Sequence, residues 1–445
     1  VAKQLFGTDG IRGVAGEYPL DAATIHAFGV ALGEDAAGAA ADPEILIGAD
    51  TRESGRWIAE MTAGGLVRGG AKVRYAGIVT TPGVAYLTRT GPFVAGVMIS
   101  ASHNPFLDNG IKVFGHSGFK LPDAEEHAIE NRTLDLRGEG TEPRAVSLAE
   151  DESLDGAYLE FLASTTSIRF DGMKVAMDCG NGAAYLLAPA LFRRLGAEVT
   201  AIGAEPDGRN INRGCGALHV EGLRETVVRE GADFGVAFDG DADRAIFVSR
   251  SGKVVDGDGV MLVCGRALKA AGKLCESVVV STVMSNLGLE QALGRAGIKM
   301  VRTPVGDKYV LEEMVRIGAT LGGEQSGHVI FREYATTGDG ILTALRLFEI
   351  ARQAGAGLDE LTEDLRVFPQ KLVNVRVRER KDLAETPSVA AEIRRAEEAF
   401  AGSGRVLVRF SGTEPLARVM VEGMDAEQVE RFSESIAEAI RKAMG

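Results

Sequence analysis

Short apolar runs that stop at small polar residues recur along this chain. Residues 93–99 are apolar and run into Ser100-Ala101-Ser102-His103-Asn104-Pro105. The run predicts a buried strand, and Asn104-Pro105 forces a bend after it. Residues 44–47 and 72–78 predict two more strands, ending at Gly48-Ala49-Asp50-Thr51-Arg52 and Thr80-Thr81-Pro82. Between them Trp57, Ile58, Met61 and Leu66 fall on one face of a helix. A strand over 110–114 follows. Polar residues over 131–151, with Gly138, Gly140 and Pro143, place a boundary near residue 150.

The theme then repeats. Strands are expected over 175–177 and 234–238, with a helix through Leu186, Leu187, Leu191 and Leu195 between them. The second strand ends in Asp239-Gly240-Asp241-Ala242-Asp243-Arg244, and a hairpin turning at Ser251-Gly252 is expected next. A third block carries strands at 278–280 and 299–301, helices over 286–296, through Val310, Met314 and Val315, and over 341–354. Residues 322–328 break its pattern as a helix-free connector. After Pro369, Leu372, Val373, Val375 and Val377 open a smaller block with strands at 405–410 and 418–421 and helices over 388–400 and 426–443. The expected domains are 1–150, 151–255, 256–368 and 369–445. Strand, polar turn and helix alternate in the first three, which predicts layered α/β domains.

Composition narrows the function classes. At 445 residues the chain is too long for one core, and roughly two to four domains are expected. A net charge of -14 argues against a nucleic-acid surface, though not against a local basic pocket for a small phosphorylated ligand. Cys179, Cys215, Cys264 and Cys275 form no CxxC pair, so neither a zinc site nor a disulfide framework is expected. No run reaches the roughly 18 apolar residues of a membrane span. Val1-Ala2-Lys3-Gln4 lacks the apolar core of a signal peptide, and a cytoplasmic location is the expectation.

Four loops carry chemistry. Ser102, at the carboxyl end of a buried strand, sits where open α/β sheets bind ligands and could act as a nucleophile or phosphate carrier. The bland alternative is that Ser100 and Ser102 cap a following helix. Asp239, Asp241 and Asp243 alternate with small residues, and three carboxylates so placed repel unless a cation lies between them. Oxygen-only ligands favour Mg²⁺, Ca²⁺ or Mn²⁺. An EF-hand is excluded, because its sixth and twelfth positions would be Arg244 and Arg250. A phosphate on Ser102 would bring further negative charge and oxygen ligands to such a cation. Glu324, Ser326 and His328 offer groups for sugar hydroxyls. Arg409, Ser411, Gly412, Thr413 and Arg418 offer donors and charge for a phosphate that is held rather than transferred. No P-loop, GxGxxG or GxSxG motif occurs in a suitable context.

Ser100-Ala101-Ser102-His103-Asn104-Pro105, the Asp239 loop, Gly323-Glu324-Gln325-Ser326-Gly327-His328 and Ser411-Gly412-Thr413-Glu414-Pro415 resemble, in this order, the four signature loops of the α-D-phosphohexomutases. Phe6-Gly7-Thr8-Asp9-Gly10-Ile11-Arg12-Gly13 and the Glu-Gln-Ser-Gly-His loop are similar to the bacterial phosphoglucosamine mutase branch of that superfamily. The resemblance implies three similar mixed-sheet α/β domains and a smaller C-terminal α+β domain around a central cleft. It implies conversion of glucosamine 6-phosphate to glucosamine 1-phosphate for UDP-N-acetylglucosamine synthesis, a peptidoglycan precursor. The implied route runs through a phosphoserine at Ser102 and a glucosamine 1,6-bisphosphate, which also serves as primer. One Mg²⁺ per subunit would bind Ser102, Asp239, Asp241 and Asp243. Arg12, His103, Lys112 and Arg244 match positions near the transferring phosphate, with Lys112 on proton transfer. Glu324, Ser326 and His328 would read the sugar, and Arg409, Ser411, Gly412, Thr413 and Arg418 would hold the far phosphate. The implied partner is a small sugar phosphate, with neither nucleic acid nor membrane, and a homodimer is allowed. A phosphomannomutase or phosphoglucomutase is the alternative within the superfamily.

Overall fold

The computed structural model describes residues 4–7, 9–140, 142–379, 382–383, 385–410 and 415–445. The chain divides into two compact units, Val1–Met284 with Ile298–Glu363, and Ser285–Gly297 with Asp364–Gly445.

Among the described residues the larger unit contains three sheets. The first has the strand order Phe6–Gly7, Gly10–Val14, Asp108–Gly115, Ala95–Ile99, Glu44–Ala49, Lys72–Ile78. Its inner strands Ala95–Ile99 and Glu44–Ala49 run parallel, and the strand Asp108–Gly115 returns antiparallel. Ala95–Ile99 is buried at every position, as its unbroken apolar run requires of a strand covered on both faces. The second sheet is ordered Val254–Val255, Ala245–Ser249, Phe234–Phe238, Lys174–Asp178, Glu198–Ile202, parallel in its centre and antiparallel at the hairpin. The third is ordered Lys299–Thr303, Val278–Thr282, Leu321–Gly323, Val329–Phe331, again parallel with an antiparallel edge. Among the described residues the smaller unit has three antiparallel strands, Gln370–Arg376, Leu416–Gly423 and Gly404–Phe410. Phe400 and Phe432, from the helices Pro387–Phe400 and Ala426–Met444, share a core with Val375, Val419 and Val421.

Two local expectations change and a third gains detail. No helix follows Ser102, so capping does not explain its hydroxyl; the chain turns and re-enters the sheet at Asp108. The connector at 322–328 is a hairpin, in which Glu324 N–H donates to His328 O at 2.8 Å and Gly327 N–H to Glu324 O at 3.0 Å. The polar stretch after residue 130 begins inside the helix Asp123–Gly138, which buries only the stripe Glu126, Ile129, Glu130, Thr133 and Leu136. The Glu130 carboxylate accepts the N–H groups of Gln4, Leu5 and Phe6 at 2.7 to 2.9 Å, pinning the first strand.

Asp339 caps the helix Gly340–Ala354, accepting from Leu342 N–H at 2.9 Å, and accepts the Tyr158 hydroxyl at 2.6 Å. Burial raises its carboxyl to about 6, against 3.8 for a free aspartate. The folded state therefore holds this proton more tightly than the unfolded chain, and stability falls as pH rises from about 4 to about 6. Asp339→Asn removes that loss. Its stability relative to the parent, measured by urea unfolding, is expected to rise by about 1–3 kcal/mol across the same interval.

Candidate functional site

Ser102 follows the strand Ala95–Ile99 and Asp239 follows Phe234–Phe238, so each stands at the carboxyl end of a buried strand. The two loops meet inside the larger unit. Ser102 Oγ donates to Asp239 Oδ2 at 2.6 Å and lies 3.4 Å from His103 Nδ1. Ser102 and the three aspartates are buried. Ser102 holds φ at 53° and Ala242 at 56°, left-handed conformations that cost a non-glycine residue about 1–3 kcal/mol and persist only where the surroundings impose them.

What imposes the first is a buried ion pair. In the sequence Asp50 and Arg52 form only a strand-end turn; in space they carry the Ser102 loop. Arg52 Nε donates to Asp50 Oδ2 at 2.9 Å. Its Nη1 reaches Asp108 O at 3.0 Å and also Pro105 O. Its Nη2 reaches Ser102 O at 2.8 Å and Asn104 O at 2.9 Å. Every guanidinium hydrogen is thereby used. Asp50 also accepts the Ser100 hydroxyl at 2.6 Å, and Ser100 Oγ in turn accepts Ser102 N–H at 2.8 Å. Ser100 is thus occupied as a brace.

Ligand atoms of Asp239, Asp241 and Asp243 lie within 4.8 Å of one another. Asp239 Oδ1 accepts Arg244 N–H at 3.2 Å, and Asp241 Oδ2 accepts Thr81 Oγ1 at 2.5 Å. Asp241 Oδ1 and Asp243 Oδ1 are buried without a hydrogen-bond partner. Burial first, then the carboxylates of Asp243 and Asp241, hold the Asp239 carboxyl well above its ordinary range. Oxygen-only donors, two uncommitted buried oxygens and excess negative charge fit a hard divalent cation beside Ser102.

Positive charge surrounds this acidic centre. Lys112 Nζ, buried, is 2.9 Å from Asp241 Oδ2, 3.3 Å from Asp9 Oδ2 and 3.5 Å from Asp243 Oδ2. Burial opposes its charge, but Asp241, Asp9 and Asp243 more than offset that and raise its pKa well above the usual lysine value. Arg244 behaves likewise: burial opposes its charge, while Asp243, Asp239, Glu324 and Asp241 favour it more strongly. Arg12 pairs with Asp9. Burial, Arg244 and Arg12 push His103 down to about 4. Arg12 and Arg244 therefore bring like charge to one imidazole, an arrangement that an anionic group relieves.

The third sheet closes the site. Glu324 Oε1 accepts Gly306 N–H at 3.1 Å, and Ser326 is exposed at the tip of the hairpin. His328 is buried below it, with Nε2 accepting Gly338 N–H at 2.9 Å and Nδ1 3.7 Å from Asp243 Oδ1. In the smaller unit Arg409 and Arg418 stand directly opposite each other on adjacent antiparallel strands. Burial and Arg418 lower the Arg409 pKa. Ser411, Gly412 and Thr413 lie outside the described residues.

Comparison with known proteins shows the family. The phosphoglucomutase/phosphomannomutase α/β/α domains I, II and III match residues 3–137, 156–252 and 256–368, and the C-terminal domain of the same family matches 372–439. A phosphoglucosamine mutase of Solibacter usitatus is 72% identical over 445 residues, covering the whole of both chains. One from Koribacter versatilis is 50% identical, covering all of this chain and 98% of that one. Among solved structures, a phosphoglucomutase/phosphomannomutase family protein from Burkholderia thailandensis has a TM-score of 0.79 at 22% identity, covering 99% and 98% of the two chains. Aspergillus fumigatus N-acetylphosphoglucosamine mutase, solved with GlcNAc-6P and magnesium, has a TM-score of 0.66 at 18% identity, covering 100% and 96%. The chain belongs to the phosphoglucomutase/phosphomannomutase family and, within it, to the phosphoglucosamine mutases.

Close approach of the two central loops depends on Gly240, where a Cβ would lie 2.5 Å from Ser102 O. Gly240→Ala is expected to destabilise the protein by about 1–3 kcal/mol in chemical denaturation, because the obstructing atom is backbone and cannot swing aside.

Proposed function

We propose that this chain interconverts glucosamine 6-phosphate and glucosamine 1-phosphate, with Ser102 as the residue that stores the phosphoryl group. The observation that carries this reading is the Ser102 hydroxyl 2.6 Å from Asp239, one of a buried aspartate trio, in a chain 72% identical to a phosphoglucosamine mutase. In the forward half-reaction the Oγ–P bond of phosphoserine 102 breaks and a bond forms to the free sugar hydroxyl, giving a 1,6-bisphosphate. That intermediate reorients, and its other phosphate returns to Ser102 Oγ. Lys112 is the proposed proton carrier. It gives a proton to the departing serine oxygen and takes the one released by the sugar hydroxyl, ending each half-reaction as the ammonium its carboxylate partners favour.

Arg12, His103 and Arg244 are assigned to the transferring phosphate, Glu324, Ser326 and His328 to the sugar side, and Arg409, Ser411, Gly412, Thr413 and Arg418 to the distal phosphate. Asp239, Asp241, Asp243 and Ser102 would hold one Mg²⁺ per subunit, which supplies charge neutralisation for the phosphoryl group. A glucosamine 1,6-bisphosphate or similar sugar serves as primer. A cytoplasmic location and a homodimer complete the proposal, as do domain boundaries near residues 150, 255 and 368.

Turnover of glucosamine, glucose and mannose phosphates, each primed with the corresponding bisphosphate, tests the reading. The highest kcat/KM is expected with the glucosamine phosphate, and a preference for glucose or mannose phosphate would reassign the sugar. Ser102→Ala is expected to remain folded, to acquire no phosphoform in intact-mass measurement, and to lose at least about 10³-fold in kcat. Asp241→Ala is expected to raise the Mg²⁺ concentration for half-maximal activity by more than about 10-fold; an unchanged Mg²⁺ response would remove that residue from the metal site.

A further inference from the structure

Two side chains from different sheets converge on the same pair of backbone oxygens. Arg52 Nη2 donates to Ser102 O and Asn104 O. Asn212 Nδ2 donates to the same two oxygens, at 2.9 Å and 3.2 Å. Arg52 follows the strand Glu44–Ala49 of the first sheet, so its bonds shape the Ser102 loop within that loop's own domain. Asn212 lies in the segment after Glu198–Ile202 of the second sheet, the sheet whose strand Phe234–Phe238 presents Asp239. It is a side chain that ties the serine loop to the aspartate-bearing domain. It is itself fixed, with φ at 57° and its N–H donating to Gly180 O at 2.8 Å. A second tie runs alongside, from the Thr51 hydroxyl to Asn181 O.

We propose that Asn212 is a positioning residue for phosphoryl transfer. By clamping the carbonyls of Ser102 and Asn104 to the second sheet, it sets where Ser102 Oγ stands relative to Asp239. The proposal rests on the reading of Ser102 as the phosphoryl carrier. It goes beyond that reading in assigning control of the oxygen's position to a residue that bonds the loop's backbone and takes no part in the chemistry. Reactive groups displaced by about 1 Å lose on the order of 100-fold in rate, so small slippage of this loop is enough to matter.

Asn212→Gly and Asn212→Asp separate positioning from folding. Glycine and aspartate both accept the left-handed backbone, and the aspartate also keeps the shape of the side chain. In each variant the Asn212 hydrogens that reach Ser102 O and Asn104 O are gone, while those of Arg52 remain. The measurements use the full-length protein with Mg²⁺ and glucose 1,6-bisphosphate as the phosphoryl donor. They are kcat and KM for the sugar phosphate, the rate at which Ser102 gains phosphate by intact mass, and the thermal midpoint.

The expected result for both variants is a kcat about 10–100-fold below the parent, with KM within about 2-fold and phosphate gain slowed in parallel. The thermal midpoint stays close to the parent value in at least the Asn212→Gly protein, in which both carbonyls keep the Arg52 hydrogens and no carboxylate faces them. A parental kcat in the folded variants overturns the proposal. So does an activity loss that merely tracks the fraction of protein unfolded, because a purely structural role predicts that outcome. If the parent itself gains no phosphate on Ser102, the phosphoryl-carrier reading fails and the proposal falls with it. A phosphorylated parent beside unimpaired variants rejects the Asn212 assignment alone.

Discussion

Like charge held out of water is the constraint on which the larger unit is built. Three carboxylates at Asp239, Asp241 and Asp243 share one buried space, and the chain surrounds them with alternating charge. From Lys112, which touches Asp241 and Asp243, the path runs to Asp9 at 3.3 Å and from Asp9 to Lys120. Lys120 meets Asp307 at 2.5 Å, Asp307 lies 3.8 Å from His328, and His328 lies 3.7 Å from Asp243. The charged path ends at Asp307; His328, whose Nε2 accepts the Gly338 N–H, completes the ring by proximity, and the side chains come from the domains of all three sheets of the unit. Removing Lys112, the fully buried cation among them, strands its carboxylate partners, at a cost of about 3–5 kcal/mol. The electrostatics of the acidic centre therefore also hold these three domains in register.

The strands are legible in the sequence because each is a short apolar run ended by small polar residues, and the site loops are those endings. Lys72–Ile78 and Phe234–Phe238 fall where the pattern puts them. The helix Ala22–Ala39 has no such signature. It is buried along most of its length and packs on Glu53–Arg68 so closely that a Cβ at Gly65 would lie 2.2 Å from His26 O. With alanine and glycine on several faces, it leaves little contrast for a periodic reading. Asp50 and Arg52 are illegible for another reason. A charged pair at a strand end reads as a solvated turn, and only the fold shows that it is buried and bonded to the serine loop. Asp9, Lys120 and Asp307 are far apart in sequence, and no spacing rule joins them. The Glu324 hairpin leaves no sequence signal because its strands are only 3 residues long.

Family resemblance and physical reading contribute different things. The order of four loops points to the reaction class, whereas the structure accounts for the serine loop's shape: Arg52 from one side, Asn212 from the other, and Gly240 leaving room between. All three act on the backbone of the serine loop, and each constrains where Ser102 stands.

The left-handed backbone at residue 102 also bears on which alcohol can stand there. Threonine offers the same kind of hydroxyl oxygen. Its extra methyl branch, however, crowds the main chain at positive φ, where β-branched residues are outliers. The position thus selects the primary alcohol over the secondary one on conformational grounds, before any difference in their reactivity is considered.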